Sequence, residues 1–166
     1  MTTNRLSGRK AGRDLALSAG GSIAAALVGG LGSRRAPEVY QLLDKPSWAP
    51  PPGVFGPVWS ALYTSMGWAA WRMSRRADGQ PVLVLHGLQL ALNAYWPIAF
   101  FSRRSRRESL VVIALLDGLV AAETVAAWRR DRLSGALLLP YLGWSLFATA
   151  LNAAVRWPQD RNLRAA

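Results

Sequence analysis

Five apolar stretches, each close to the length that crosses a bilayer, take up most of this 166-residue chain and alternate with short arginine-rich connections. They run Leu15–Leu31, Pro57–Met73, Pro81–Phe101, Leu110–Trp128 and Leu133–Val155, against the ~20 residues needed to span a hydrocarbon core about 30 Å thick. Where no water is at hand, only a helix satisfies every backbone polar group within its own segment, so all five are predicted to be helical. The chain therefore reads as an all-α, multi-pass integral membrane protein: a five-transmembrane-helix bundle with a capping loop between the first and second helices. Residues 1–13 are expected to form a basic tail, 14–157 the membrane domain and 158–166 a polar tail. The longest connection, 32–56, holds only about 25 residues and leaves no room for a soluble domain beside the spans.

A net charge of +11 would suggest nucleic acid in a soluble chain. Here the cations flank membrane segments, where anionic headgroups are the natural counterpart, and no nucleic-acid partner is expected. There is no cysteine and one histidine, His86, so a zinc site lacks its usual ligands and neither a metal nor a required cofactor is expected. Arg5, Arg9, Lys10 and Arg13 ahead of an apolar run resemble the start of a secretory signal. Continuation to Leu31 and the Gly-Gly pairs favour a permanent first span. Lysines and arginines divide ten and ten between the two sides of the membrane, so the positive-inside rule does not orient the chain.

Small residues recur at Gly21, Ala25 and Gly29 on the first span and at Gly87, Ala91 and Ala94 on the third. Such stripes let backbones approach closely, and the second is the candidate seam of a homodimer. The prolines of Lys45-Pro46-Ser47-Trp48-Ala49-Pro50-Pro51-Pro52 stiffen the first connection, which is expected to be a lid rather than a tether. Trp48 within it either anchors at the headgroups or covers a pocket. Trp59 and Tyr63, four apart, share a helix face suited to a flat apolar ligand or a helix partner. Trp68 and Trp71, followed by Arg72, Arg75 and Arg76, are interfacial anchors. Gln89 and Asn93 also share a face, with Trp96 three residues on. Amides are costly toward lipid, so both should point inward, to an interhelical hydrogen bond or to a cavity wall. Pro97 is expected to bend its helix. Asp117 and Glu123, six apart, face different sides and form no catalytic pair. Trp144 lies mid-span with Ala148 one turn on, outlining a slot beside an indole.

Together these segments resemble the tryptophan-rich sensory protein family (TspO/MBR), also called the translocator protein or peripheral benzodiazepine receptor family. The likeness covers roughly residues 17–157. It rests on Gly29-Gly30-Leu31-Gly32-Ser33-Arg34, Lys45-Pro46-Ser47-Trp48-Ala49-Pro50-Pro51 and Gly56-Pro57-Val58-Trp59 with Leu62-Tyr63 and Met66-Gly67. It continues through Gln89-Leu90-Ala91-Leu92-Asn93, Trp96-Pro97, Phe100-Phe101, Pro140-Tyr141-Leu142, Trp144, Phe147 and Leu151-Asn152. The resemblance implies a five-helix bundle, commonly a homodimer, with a pocket capped by the first long connection. It also implies a ligand: porphyrins such as protoporphyrin IX or haem, with sterol-like molecules and isoquinoline carboxamides as further ligands. Family pocket positions fall on Tyr40, Phe55, Trp59, Asn93, Trp144, Ala148 and Leu151.

Three departures matter. Val39 stands where some bacterial relatives carry a tryptophan, which weakens any radical chemistry relying on that indole. Ala153 replaces the tyrosine of the family's sterol motif. The acid of the family's fourth span lies about one turn before Asp117, so no role passes to Asp117. The expected ligand set is thus Tyr40, Trp48, Phe55, Trp59, Tyr63, Gln89, Asn93, Trp96, Trp144, Ala148 and Leu151. Lys45 and Arg34 join Tyr40 as groups to meet carboxylates. The leading reading is a tetrapyrrole sensor, scavenger or transporter. One alternative is an enzyme for light- and oxygen-dependent protoporphyrin breakdown, drawing on Tyr40, Trp59 and Trp144. Another is a proton-coupled small-solute exporter, using Asp117 and Glu123.

Overall fold

The computed structural model describes residues 36–157, and the described residues are helical with no strand. The first apolar stretch, its Gly21, Ala25 and Gly29 stripe, Arg34 and both tails lie outside them. A short helix, α1 (Ala36–Leu42), leads through the proline segment and a 3₁₀ turn (Pro52–Val54) into α2 (Phe55–Ser74). Then come α3 (Gln80–Pro97), continued by a π-helical turn (Ile98–Ser102), α4 (Arg106–Arg130) and α5 (Arg132–Ala154).

The sequence marks each boundary. Pro57 sits in the first turn of α2 and Pro81 in that of α3, where a missing amide hydrogen costs least. Pro97 cannot donate to the carbonyl one turn back and clashes with it, and the chain answers with the wider π turn, closed by Arg103 N–H to the Ile98 carbonyl at 2.8 Å. Ser105 caps α4 by accepting from the Glu108 N–H at 3.3 Å, the serine half of a Ser-x-x-Glu box. Arg104 takes φ 52° in the tight turn before that cap. Gly79 closes the α2–α3 turn where no side chain fits: a Cβ there would lie 1.9 Å from the Met73 carbonyl oxygen.

The protein is a multi-pass membrane protein. Gln80–Ser102, Arg106–Arg130 and Arg132–Ala154 are each long and apolar enough to cross a membrane. α2 matches them in length at 20 residues, its apolar character diluted by Ser60, Thr64, Ser65 and Arg72. The helices close a ring in which α4 packs most extensively on α5, α3 on α4, and α2 on both α5 and α3. Met66, Met73, Val120, Leu138 and Tyr141 form its solvent-free centre. Outward stand Val84, Leu88, Val111, Leu115, Val125, Leu139 and Leu146, while His86, Gln89, Asn93, Glu123, Ser145 and Asn152 are buried. Apolar outside and polar within is the arrangement a lipid solvent favours.

Candidate functional site: an aromatic cavity under a pinned lid

At the end of the bundle where α2 begins and α3 and α5 finish, the helices part around a cavity of about 380 Å³. Its volume falls within the ~300–1,000 Å³ of small-molecule sites. Phe55, Trp59 and Tyr63 reach it from successive turns of α2, Asn93 and Trp96 from α3, and Trp144, Ala148 and Leu151 from α5, while Tyr40 closes it from α1. The rings touch in series: Tyr40 to Phe55 at 5.4 Å between centroids, Phe55 to Trp144 at 5.9 Å, both edge-on, and Trp59 to Tyr63 at 5.6 Å. Ala148, one turn beyond Trp144, leaves space beside that indole. Phe100 and Phe101 complete the far wall, Phe100 stacking on Trp96 at 5.2 Å.

The lid is fixed at several points. Asp44 and Arg156 exchange backbone hydrogen bonds of 3.1 and 3.0 Å, joining the proline segment to the end of α5. The Tyr40 hydroxyl donates to the Pro50 carbonyl at 2.8 Å. Burial pushes the Tyr40 phenol above its ordinary value, so it remains a neutral donor. Val39, Tyr40 and Leu43 bury their side chains against Phe100, Leu151, Val155 and Trp157.

Nine of the eleven residues read from the sequence line this cavity: Tyr40, Phe55, Trp59, Tyr63, Asn93, Trp96, Trp144, Ala148 and Leu151. Trp48 and Gln89 do not. Trp48 is half exposed on the lid, its ring edge-on to Phe147 at 5.8 Å. Gln89 lies one turn deeper than Asn93 and is fully buried, accepting from the Tyr141 hydroxyl at 2.9 Å. Asn93 accepts from the Tyr63 hydroxyl at 2.5 Å and donates to that of Tyr141 at 2.9 Å.

Of the expected carboxylate partners, Arg34 lies outside the described residues. Lys45 turns its ammonium onto the carbonyls of Tyr40 and Leu43, at 2.6 and 3.0 Å, because a lysine beside the C-terminus of α1 satisfies carbonyls that helix leaves open. The Tyr40 hydroxyl is already engaged with Pro50. Among the described residues no lysine or arginine lines the cavity. Of the seam residues, Gly87 and Ala91 are exposed on α3, but Ala94 is buried against Tyr63 and faces α2. His86 is outside the cavity and bonded to Glu123 at 2.8 Å. Asp117, on another side of α4, accepts from Ser145 and from Thr149, the latter at 2.7 Å. No cluster of three potential metal ligands occurs among the described residues.

Comparison with known proteins agrees with the architecture. The profile of the TspO/MBR family matches residues 17–158. The translocator protein of Homo sapiens is 42% identical over 130 residues, covering 75% of this chain and 76% of its own. The tryptophan-rich sensory protein of Cereibacter sphaeroides is 36% identical over 115 residues, 69% and 73% of the two chains. The tryptophan-rich protein TspO of Archaeoglobus fulgidus is 40% identical over 119 residues, 70% and 76%.

Proposed function

This chain belongs to the TspO/MBR family, and on that premise we propose that its cavity binds a porphyrin and that the protein senses, scavenges or carries tetrapyrroles in its membrane. The observation that carries this reading is the ring-walled cavity itself, with Trp59 and Trp144 on the neighbouring helices α2 and α5 and the Tyr63–Asn93 pair among its few polar groups. A flat macrocycle offers large apolar faces that such walls cover, each indole contributing about 0.5–1.5 kcal/mol beyond simple area burial. The names of the relatives, translocator protein and tryptophan-rich sensory protein, support a role in translocation or sensing.

The cavity sets how such a ligand would sit. With no cation on its walls among the described residues, it favours the apolar edge of the macrocycle inside and the ionised propionates at the mouth. Sterol-like and isoquinoline ligands would occupy the same walls without that constraint.

A fluorescence titration of the purified protein with protoporphyrin IX tests this. Trp59→Ala and Trp144→Ala each remove a wall, and the affinity should fall by roughly tenfold or more, as expected from losing about 1.5–3 kcal/mol of buried ring contact. Helix content should be unchanged. Equal affinity in native and both variant proteins rejects the cavity as the binding site. Repeating the titration in light and in darkness, with product analysis, separates binding from photochemical breakdown.

A further inference from the structure

Porphyrin binding leaves one group of buried side chains without a role. His86 on α3 and Glu123 on α4 are 5% and 1% exposed, with Nδ1 and Oε1 2.8 Å apart. Two lone pairs do not face each other at that distance, so a proton lies between them, carried by the nitrogen or by the oxygen. His86 Nε2 and Glu123 Oε2 are buried with no hydrogen-bond partner. No lysine or arginine is buried among the described residues. With no fixed cation to offset a carboxylate in apolar surroundings, the charge of the pair depends on how many protons it holds.

A directed chain of hydrogen bonds joins this pair to the cavity. The Tyr63 hydroxyl donates to Asn93 Oδ1, Asn93 Nδ2 to the Tyr141 hydroxyl, and that hydroxyl to Gln89 Oε1. Gln89 Nε2 then lies 3.3 Å from His86 Nδ1. Every hydrogen points away from the cavity. The positive end of the chain therefore falls beside the His86–Glu123 pair, where its field acts on whatever charge the pair carries. Of these side chains only Tyr63 and Asn93 line the cavity. A ligand oxygen that takes the Tyr63 hydrogen removes the first donor and weakens the field of the chain at the pair. An anionic ligand adds to the effect in the same sense by its charge.

We propose that His86 and Glu123 form a proton-binding site linked to the cavity through Gln89, Tyr141, Asn93 and Tyr63, so that an anionic, acceptor-bearing ligand takes up one proton from water as it binds. This rests on the reading of the cavity as a ligand site. Amides do not pass protons along, so the link acts through the orientation of dipoles, and it is an equilibrium property. Nearby titratable groups are Tyr63 on α2, Tyr141 on α5 and Asp117 on α4. The first two belong to the chain, and Asp117 is held by Ser145 and Thr149.

The test is protoporphyrin IX affinity between about pH 5 and 8, the range over which histidine changes charge, with proton uptake read by an indicator dye in weakly buffered detergent. Protoporphyrin added to protein-free micelles supplies the baseline for the ligand's own titration. Reciprocal linkage requires the native protein to bind more tightly as pH falls, by about fivefold or more beyond that baseline. In Glu123→Gln, which keeps a hydrogen-bonding partner for His86, and in Tyr141→Phe, which cuts the chain behind the cavity wall, that excess should vanish while binding persists. Binding with no excess proton uptake by the native protein overturns the proposal and leaves the porphyrin reading standing, even if a variant fails to fold. Retention of the full excess in both variants also overturns it. Absence of binding at every pH removes both.

Discussion

At the scale of single residues, Asp131 shows how much one side chain can hold together. Its N–H closes α4 on the Ala127 carbonyl at 2.7 Å and its carbonyl accepts from Gly135 at 3.1 Å to start α5. Its carboxylate accepts from Arg72 Nε at 2.8 Å and from Ser134 at 2.6 Å, tying α2 to the joint. The Arg72 guanidinium, then Ser134, hold the Asp131 carboxyl well below the usual carboxylate range. A depressed carboxylate stabilises the fold fully above the unfolded value of about 3.9 and loses that contribution as pH falls through the folded one. Melting of the native protein should therefore drop more steeply below about pH 4 than that of Arg72→Gln, with the two curves converging in strong acid. The sequence displayed Arg72 and Asp131 only as members of arginine-rich ends. Their pairing depends on how two helix ends meet, which no local pattern encodes. His86 and Glu123 are equally hard to join from sequence: one is a lone histidine in the third span and the other an acid deep in the fourth, and nothing in their spacing points each to the other. Sequence spacing shows which face of a helix a residue occupies but not which residue of another helix it meets.

At the scale of elements, the most extensive helix contact is that of α4 with α5. A Cβ on Gly135 would lie 2.7 Å from Trp128 Cα, so backbone and indole together occupy the space a side chain would need. Gly135→Val should separate the pair and lower stability by about 1–3 kcal/mol, the usual range for overpacking, seen as an earlier thermal transition with the same starting helicity. Helix boundaries were largely legible. The stretch read as Pro57–Met73 is the helix Phe55–Ser74, and Leu133–Val155 is Arg132–Ala154. Hydrophobicity sees the greasy centre of each span, whereas helices continue into polar ends on caps such as Ser105. The cavity walls on α2, α3 and α5 were readable because aromatic residues one turn apart must share a face. Lid contacts were not. Trp48 and Lys45 lie on irregular backbone, whose direction depends on the particular φ and ψ of each residue.

At the scale of the whole molecule, charge is distributed evenly. Among the described residues, Arg72, Arg75, Arg76, Arg129, Arg130 and Arg132 ring one end of the bundle, and Lys45, Arg103, Arg104, Arg106, Arg107 and Arg156 the other. Orientation by cations is thus poised, and Arg75→Ala with Arg76→Ala together should tip it, turning that end away from the cytoplasm. A reporter inserted in the α2–α3 turn would read the change, and an unaltered orientation would mean that something other than loop charge fixes it. The backbone exchange between Asp44 and Arg156 has a kinetic corollary. Two such bonds, at about 0.5–1.5 kcal/mol net each, keep the hood shut most of the time, so a molecule arriving from water waits for a rare opening. A ligand of the proposed kind would then enter from water at a rate set by the hood rather than by its own diffusion.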